Sequence, residues 1–214
     1  MTQAEWDQLQ RELNDRQFTG HAAGPGSWRI AANVLLTAAN LLGSQILAAN
    51  ERQTRRTIAG EIRGGPMSPE DTLDMYIGMT GSVWIMLYAL ALENILKGII
   101  ALREGANLYG GTKKTLTAKS HKLVPLAERS GVKLTSEETD LLEELSTYSI
   151  WRGKFFIPLS AEELSDFETQ LQGKRRLRGR PTEMKESLDA LLLKVMTAYT
   201  QHREEFDTKE KPDD

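Results

Sequence analysis

The chain has 214 residues, 40% of them hydrophobic, and a formal net charge of -3. That length suits one domain with a sizeable core, and the small net charge gives no global attraction to nucleic acid or acidic membranes. There is no cysteine, which excludes disulfides and thiol chemistry. The three histidines, at positions 21, 121 and 202, are too dispersed for a metal-ligand set, so neither a metal nor another cofactor is expected.

Residues 1–17 are rich in Glu, Asp, Gln and Arg and lack the basic start and apolar run of a secretory signal. The cytoplasm is therefore the expected compartment. A polar N-terminal segment, 1–26, carries a short peripheral helix over 4–18 and closes in a loop built on Gly24, Pro25 and Gly26. The main domain is expected over 27–206. Its first long helix is capped by Ser27 and runs to about Gln53, with Ile30, Val34, Leu35, Ala38, Leu41, Leu42, Gln45 and Ile46 at spacings of three and four. One broad apolar stripe packed on a neighbour is the natural reading. Arg52, Arg55, Arg56 and Arg63 then read as a solvated helix end, with an RNA-facing patch as the alternative.

The strongest element covers 71–103. Ser68 can cap it, Pro69 suits its first position, and Glu70 and Asp71 face the positive end of the helix dipole. From Val83 to Leu92 apolar side chains occur at nearly every angle, so this helix must be covered on more than one side. Charge returns at Glu93 and Lys97, four residues apart with the acid first, the favoured orientation for a pair on one face. The uncharged runs 30–50 and 75–92 approach the ~20 residues that span a bilayer. Asn33, Asn40, Ser44 and Gln45 in the first, and Gly78, Thr80, Gly81 and Ser82 in the second, fit buried helices of a bundle better, so no membrane contact is expected.

Residues 104–119 read as a mobile loop, and Gly111 stands where a phosphate-binding loop needs Lys. A short helix is expected over 121–130, with Pro125 in its first turn and Gly131 ending it. Thr135 to Glu138 form a capping box that opens a helix stopping near Trp151. Gly153 and Pro158 make 152–158 extended, and Ser160 to Glu163 form a second capping box for a helix ending at Gly173. The run Lys174, Arg175, Arg176, Arg178 and Arg180 is a candidate nucleic-acid surface, screened by the acidic residues just before it. A last helix over about 183–205 would bury Met184, Leu188, Leu191, Leu192, Val195, Met196 and Tyr199, and 207–214 should be disordered. With no alternating strand pattern, the fold class is all-α: a helical bundle with long central helices and short connecting helices.

Leu90 to Lys97 on a long helix, Ser120 to Leu123 opening a short one, then Tyr148 to Phe155 and Pro158, resemble the HEPN superfamily, specifically small prokaryotic members. The resemblance covers about 28–158. It implies a helical bundle that pairs two protomers, hence a homodimer. It also implies roles in prokaryotic defence or toxin–antitoxin systems, with a protein partner encoded nearby. Ribonuclease members carry an Arg and a His about four to six residues apart for acid–base chemistry, and this chain lacks that pair on the matching helix. Arg16 and His21 have the spacing but lie outside the resembling stretch. The chain therefore reads as a non-catalytic interaction module with no catalytic residues assigned. The alternatives are a metal-independent RNA-cleaving enzyme with an unconventional site and a nucleotide-binding subunit of a nucleotidyltransferase pair. Ligand candidates are Glu93, Lys97, His121, Trp151, Arg152 and Lys154, and the first five are expected to converge where the helix ends meet. Arg152 and Lys154 flank Gly153 on extended backbone that suits an anion such as a nucleotide or RNA phosphate.

Overall fold

The computed structural model describes residues 8, 24–60, 67–104, 109–110, 115–116, 120–149 and 180–209. The architecture is an all-α bundle: α1 (Pro25–Ile58), α2 (Pro69–Met79), α3 (Gly81–Glu104), α4 (Leu123–Ser130), α5 (Ser136–Thr147) and α6 (Pro181–Lys209). Tyr109–Gly110 (β1) pairs antiparallel with Thr115–Leu116 (β2) inside the stretch expected to be a mobile loop. This short ladder has no alternating apolar pattern to announce it. The expected helices over 4–18 and 160–173 and the extended segment 152–158 lie outside the described residues.

The apolar circumference of α3 is met by covering it all round. Its residues from Ile95 to Leu102 are buried without interruption, with α1 along one side, α6 along another, and α4 and α5 closing its C-terminal half. Each fully buried Leu or Ile stabilises the fold by roughly 1.5–3 kcal/mol, so α3 is the thermodynamic centre of the bundle.

The helix expected over 71–103 is interrupted. Thr80 caps the end of α2, its amide reaching the carbonyls of Ile77 and Gly78 and its Oγ1 donating to the Ile77 carbonyl at 2.6 Å. The helix resumes with the Trp84 amide bonded to the Thr80 carbonyl at 3.0 Å. Gly78 and Gly81 flank the break, and glycine lowers helix propensity by roughly 1 kcal/mol each. At the start of α2, Ser68 caps as its sequence implies, accepting from the Asp71 amide at 3.1 Å.

The stripe read from α1 divides into two faces. Ala32, Ala39, Gly43, Ile46 and Ala49 are buried, whereas Ile30, Val34 and Leu41 are 67%, 65% and 67% exposed. Small residues face inward because α3 presents Trp84. A Cβ on Gly43 would lie 2.7 Å from the Trp84 indole nitrogen, so the indole occupies the space a larger α1 residue would need. α1 is also longer than expected, starting with Gly24 and Pro25 as cap and first residue and ending at Ala59 and a left-handed Gly60.

The arginines at the end of α1 are not simply a solvated run. Arg52 and Arg56 both grip the buried Asp74 of α2, each through an Nη2 at 2.6 Å, and Arg56 Nη1 lies 2.8 Å from Asp71 Oδ1. Arg55 pairs with Glu51 on its own helix, and Arg63 lies outside the described residues. Elsewhere the local signals hold. Gly131 ends α4 at φ 77°, the Val132 amide bonds to the Ala127 carbonyl at 3.1 Å, and Thr135 with Glu138 forms a reciprocal capping box. α6 buries Met184, Leu188, Leu191, Val195 and Tyr199, with Leu192 and Met196 partly buried. It continues to Lys209 rather than stopping at Glu205, helped by an Arg203–Asp207 pair one turn apart, so residues 207–209 are helical rather than disordered.

The Asp74 clamp makes a pH-dependent prediction. Bonding to Arg52 holds the Asp74 carboxyl below its ordinary value of 3.8, against the opposing effect of burial. A lowered folded value means the contribution is complete above that ordinary value and is lost as pH falls through the folded one. Acid titration followed by hydrogen exchange should show α2 amides losing protection in that window. Asp74→Asn should flatten the acid-dependent loss and leave α2 less protected at neutral pH.

Candidate functional site

Glu93 and Lys97 stand one turn apart on α3, both 6% exposed, with Lys97 Nζ 2.7 Å from Glu93 Oε1. His121 precedes α4 and turns its Nδ1 onto the same carboxylate, 3.0 Å from Oε1 and 3.1 Å from Oε2. The histidine side chain is 59% exposed. When Nδ1 carries the proton, it donates to Glu93 and leaves the Nε2 lone pair as the ring's free acceptor. Glu93 thus links a buried ammonium to a solvent-facing imidazole.

The polypeptide around these groups explains their positions. The Leu123 amide at the start of α4 donates to Ser146 Oγ at 2.9 Å, and Ser149 Oγ reaches the His121 carbonyl at 3.5 Å, so α5 fixes the turn carrying the histidine. On the other flank, Lys97 Nζ lies 5.8 Å from the centroid of the Trp28 ring, a cation–π contact from the first turn of α1. Gly98 makes that approach feasible: a Cβ there would meet Tyr199 Cε2 at 2.9 Å and Trp28 Cβ at 3.2 Å. Tyr199 then donates to the Pro25 carbonyl at 3.0 Å and carries the Arg29 guanidinium 5.9 Å above its ring. Burial pushes the Tyr199 phenol above its ordinary value, so it remains a donor. The cluster therefore ties α1, α3, α4, α5 and α6 together.

Of the six ligand candidates, Glu93, Lys97 and His121 converge as expected, while Trp151, Arg152 and Lys154 lie outside the described residues. Of the basic run, Arg180 is described and exposed at the start of α6, where its carbonyl accepts from the Met184 amide at 3.0 Å. Lys174, Arg175, Arg176 and Arg178 lie outside. Trp28 and Tyr199 are participants that local spacing does not reveal, because each reads only as an apolar helix residue. A second polar group was likewise hidden: Tyr88 donates to Asp189 of α6 at 2.8 Å and lies 3.3 Å from Asn40 Oδ1 of α1, with Asp189 also paired to Lys185. Burial, then the bond to Asp189, raises the Tyr88 phenol well above its usual range. Among the described residues, no group of three His, Asp or Glu could hold a metal ion.

Chemically, the arrangement is a charge-balanced core pair with one exposed imidazole attached. Both Glu93 oxygens are occupied and the Lys97 ammonium is neutralised, which leaves the imidazole edge as the free polar group. No family model, curated protein or solved structure matches this chain.

Removing one member of a buried pair leaves the other charge uncompensated. Glu93→Ala should lower unfolding stability by about 3–5 kcal/mol. His121→Ala should cost less than about 1 kcal/mol because its contact is largely exposed. Urea denaturation measures both, and equal losses would contradict the division into buried strut and exposed appendage.

Proposed function

We propose that the chain is a HEPN-like, non-catalytic helical interaction module, acting in the cytoplasm within a prokaryotic defence or toxin–antitoxin system. The observation that carries the reading is the outer face of α1: Ile30, Val34 and Leu41 are each about two-thirds exposed, while the apolar circumference of α3 is consumed inside the bundle. A contiguous apolar helix face rimmed by polar residues is the usual form of a protein-docking surface. The Glu93–Lys97 pair is then a structural strut. Arg52 and Arg56, two of the four arginines read as a possible RNA-facing patch, are engaged by Asp74.

The helical stretches Pro25–Ile58 and Pro69–Glu104 are long and apolar enough to cross a membrane by length and composition, the second with 78% of its apolar window buried. The first also carries exposed Asn33, Asn40 and Gln45, amide side chains that cost free energy in hydrocarbon. This balance supports the cytoplasmic reading. One observation favours a second reading, metal-independent RNA cleavage: an imidazole oriented by a carboxylate is a competent general base. In that case RNA would be cut by the native chain and not by His121→Ala.

The docking face is tested by replacing Ile30, Val34 and Leu41 together with Gln. The exposed substitutions should leave helicity intact, while the native chain either self-associates or binds the apolar dye anilinonaphthalenesulfonate and the variant does neither. A native chain that is monomeric and binds no dye, or that cuts RNA through His121, would contradict the interaction reading.

A further inference from the structure

We propose that His121 is a phosphoryl-acceptor site: its Nε2 takes a phosphoryl group from a donor of the phosphoramidate class while Glu93 holds the ring by its other nitrogen. The inference goes beyond the docking reading and does not depend on the α1 face. An ionised carboxylate offers only acceptors, so the contacts of 3.0 and 3.1 Å from Nδ1 to the two Glu93 oxygens put the ring proton on Nδ1 and the lone pair on Nε2. The Lys97 ammonium, 2.7 Å from Oε1, anchors that carboxylate from the other side, and both members of the pair are buried. The imidazole itself is exposed. A histidine held in this way presents a nucleophilic nitrogen to solvent in one tautomer and one orientation.

Transfer to this nitrogen needs no further proton donor or acceptor. The Nε2 lone pair forms the new N–P bond as the donor's P–N bond breaks, and the departing nitrogen leaves as ammonia that already carries its protons. The ring becomes a phosphoimidazolium with its proton still on Nδ1, and its positive charge faces the Glu93 carboxylate at hydrogen-bond distance. The surroundings also suit the negative charge of the product. His121 stands two residues before Leu123, the first residue of α4, where the positive end of the helix dipole favours an added phosphate. Its neighbour Lys122 is exposed and adds a cation. Cleavage of RNA would ask more of the same imidazole, because a second group must protonate the leaving oxygen. Among the described residues, Glu93 is the one ionisable group bonded to the ring, and it is buried and already paired with Lys97. Acceptor chemistry needs one free nitrogen, and that is what the site offers.

The experiment incubates the full native chain with potassium phosphoramidate, locates the label by mass spectrometry and identifies the phosphorylated nitrogen by NMR. His202 is an internal comparison: its Nδ1 lies 3.4 Å from Glu205 Oε2, but that carboxylate is exposed and the ring is partly buried. An alkali-stable, acid-labile phosphohistidine should form at His121, attached through Nε2, at least about tenfold faster than at His202. In urea, where the fold no longer holds either ring, the two rates should converge. Glu93→Asp keeps a carboxylate opposite Lys97 but draws it back from Nδ1. That variant should slow His121 labelling by about tenfold, let a share of the label move to Nδ1, and leave the His202 rate unchanged; a move between nitrogens is not a result that loss of packing alone would give. If the variant fails to fold, the native chain still decides. Labelling of His121 no faster than of His202, or attachment through Nδ1, would overturn the proposal. RNA cut by the native chain and spared by His121→Ala, with no phosphoryl uptake, would also overturn it and give the imidazole to base catalysis.

Discussion

The close approach of α1 to α3 governs the rest of the molecule. α3 is apolar around its whole circumference, and a helix of that kind is stable only when its neighbours cover every side. α1 covers one side by turning Ala32, Ala39, Gly43 and Ala49 inward, with the Trp84 indole lying over Gly43. Because α1 is apolar on more than one face, the inward choice of small residues forces Ile30, Val34 and Leu41 outward. The exposed apolar face of α1 is thus a consequence of how the core is packed, not an addition to it.

The polar groups in the core follow from the same packing. With Trp28 and Tyr199 drawn against Gly98, α1 and α6 close around the middle of α3 and bury the Glu93–Lys97 pair. A buried ion pair adds little net stability compared with apolar residues of the same volume, but losing one partner is costly. Such a pair penalises packings that would separate its members. His121 adds a third contact from the turn before α4, coupling the bundle's core to a solvent-exposed side chain. Asp74 does a comparable job at the other end of α1, where it joins two arginines to a helix that buries little else.

What the sequence made legible was the information held within a few consecutive residues. The Ser68 cap, the Thr135 capping box, the Gly131 terminator and the Glu93–Lys97 spacing each act over one helical turn, and each is present in the structure. The face of α1 was not legible in the same way. Helical periodicity places Ile46 on the opposite side of α1 from Ile30, Val34 and Leu41, but with both sides apolar only the packing of α1 on another helix decides which is covered. The Asp74 clamp, the Trp28–Lys97 contact and the Tyr88–Asp189 bond join residues 18 to 101 positions apart, beyond the reach of periodicity. The break at Thr80 falls among Gly78, Thr80, Gly81 and Ser82, but the apolar residues on either side carry the pattern of one continuous helix. Half of the candidate site, Trp151, Arg152 and Lys154, belongs to residues outside the described set.

α1 keeps Ala32, Ala39, Gly43, Ile46 and Ala49 inside and turns Ile30, Val34 and Leu41 outward. Hydroxyl-radical footprinting of the native chain, read residue by residue at low and high protein concentration, tests this arrangement most directly. Ile46 should be protected at every concentration, whereas Ile30, Val34 and Leu41 should react freely in dilute solution. Equal protection of Leu41 and Ile46 in dilute solution would mean that the whole apolar stripe lies within one chain's core, and would contradict the account.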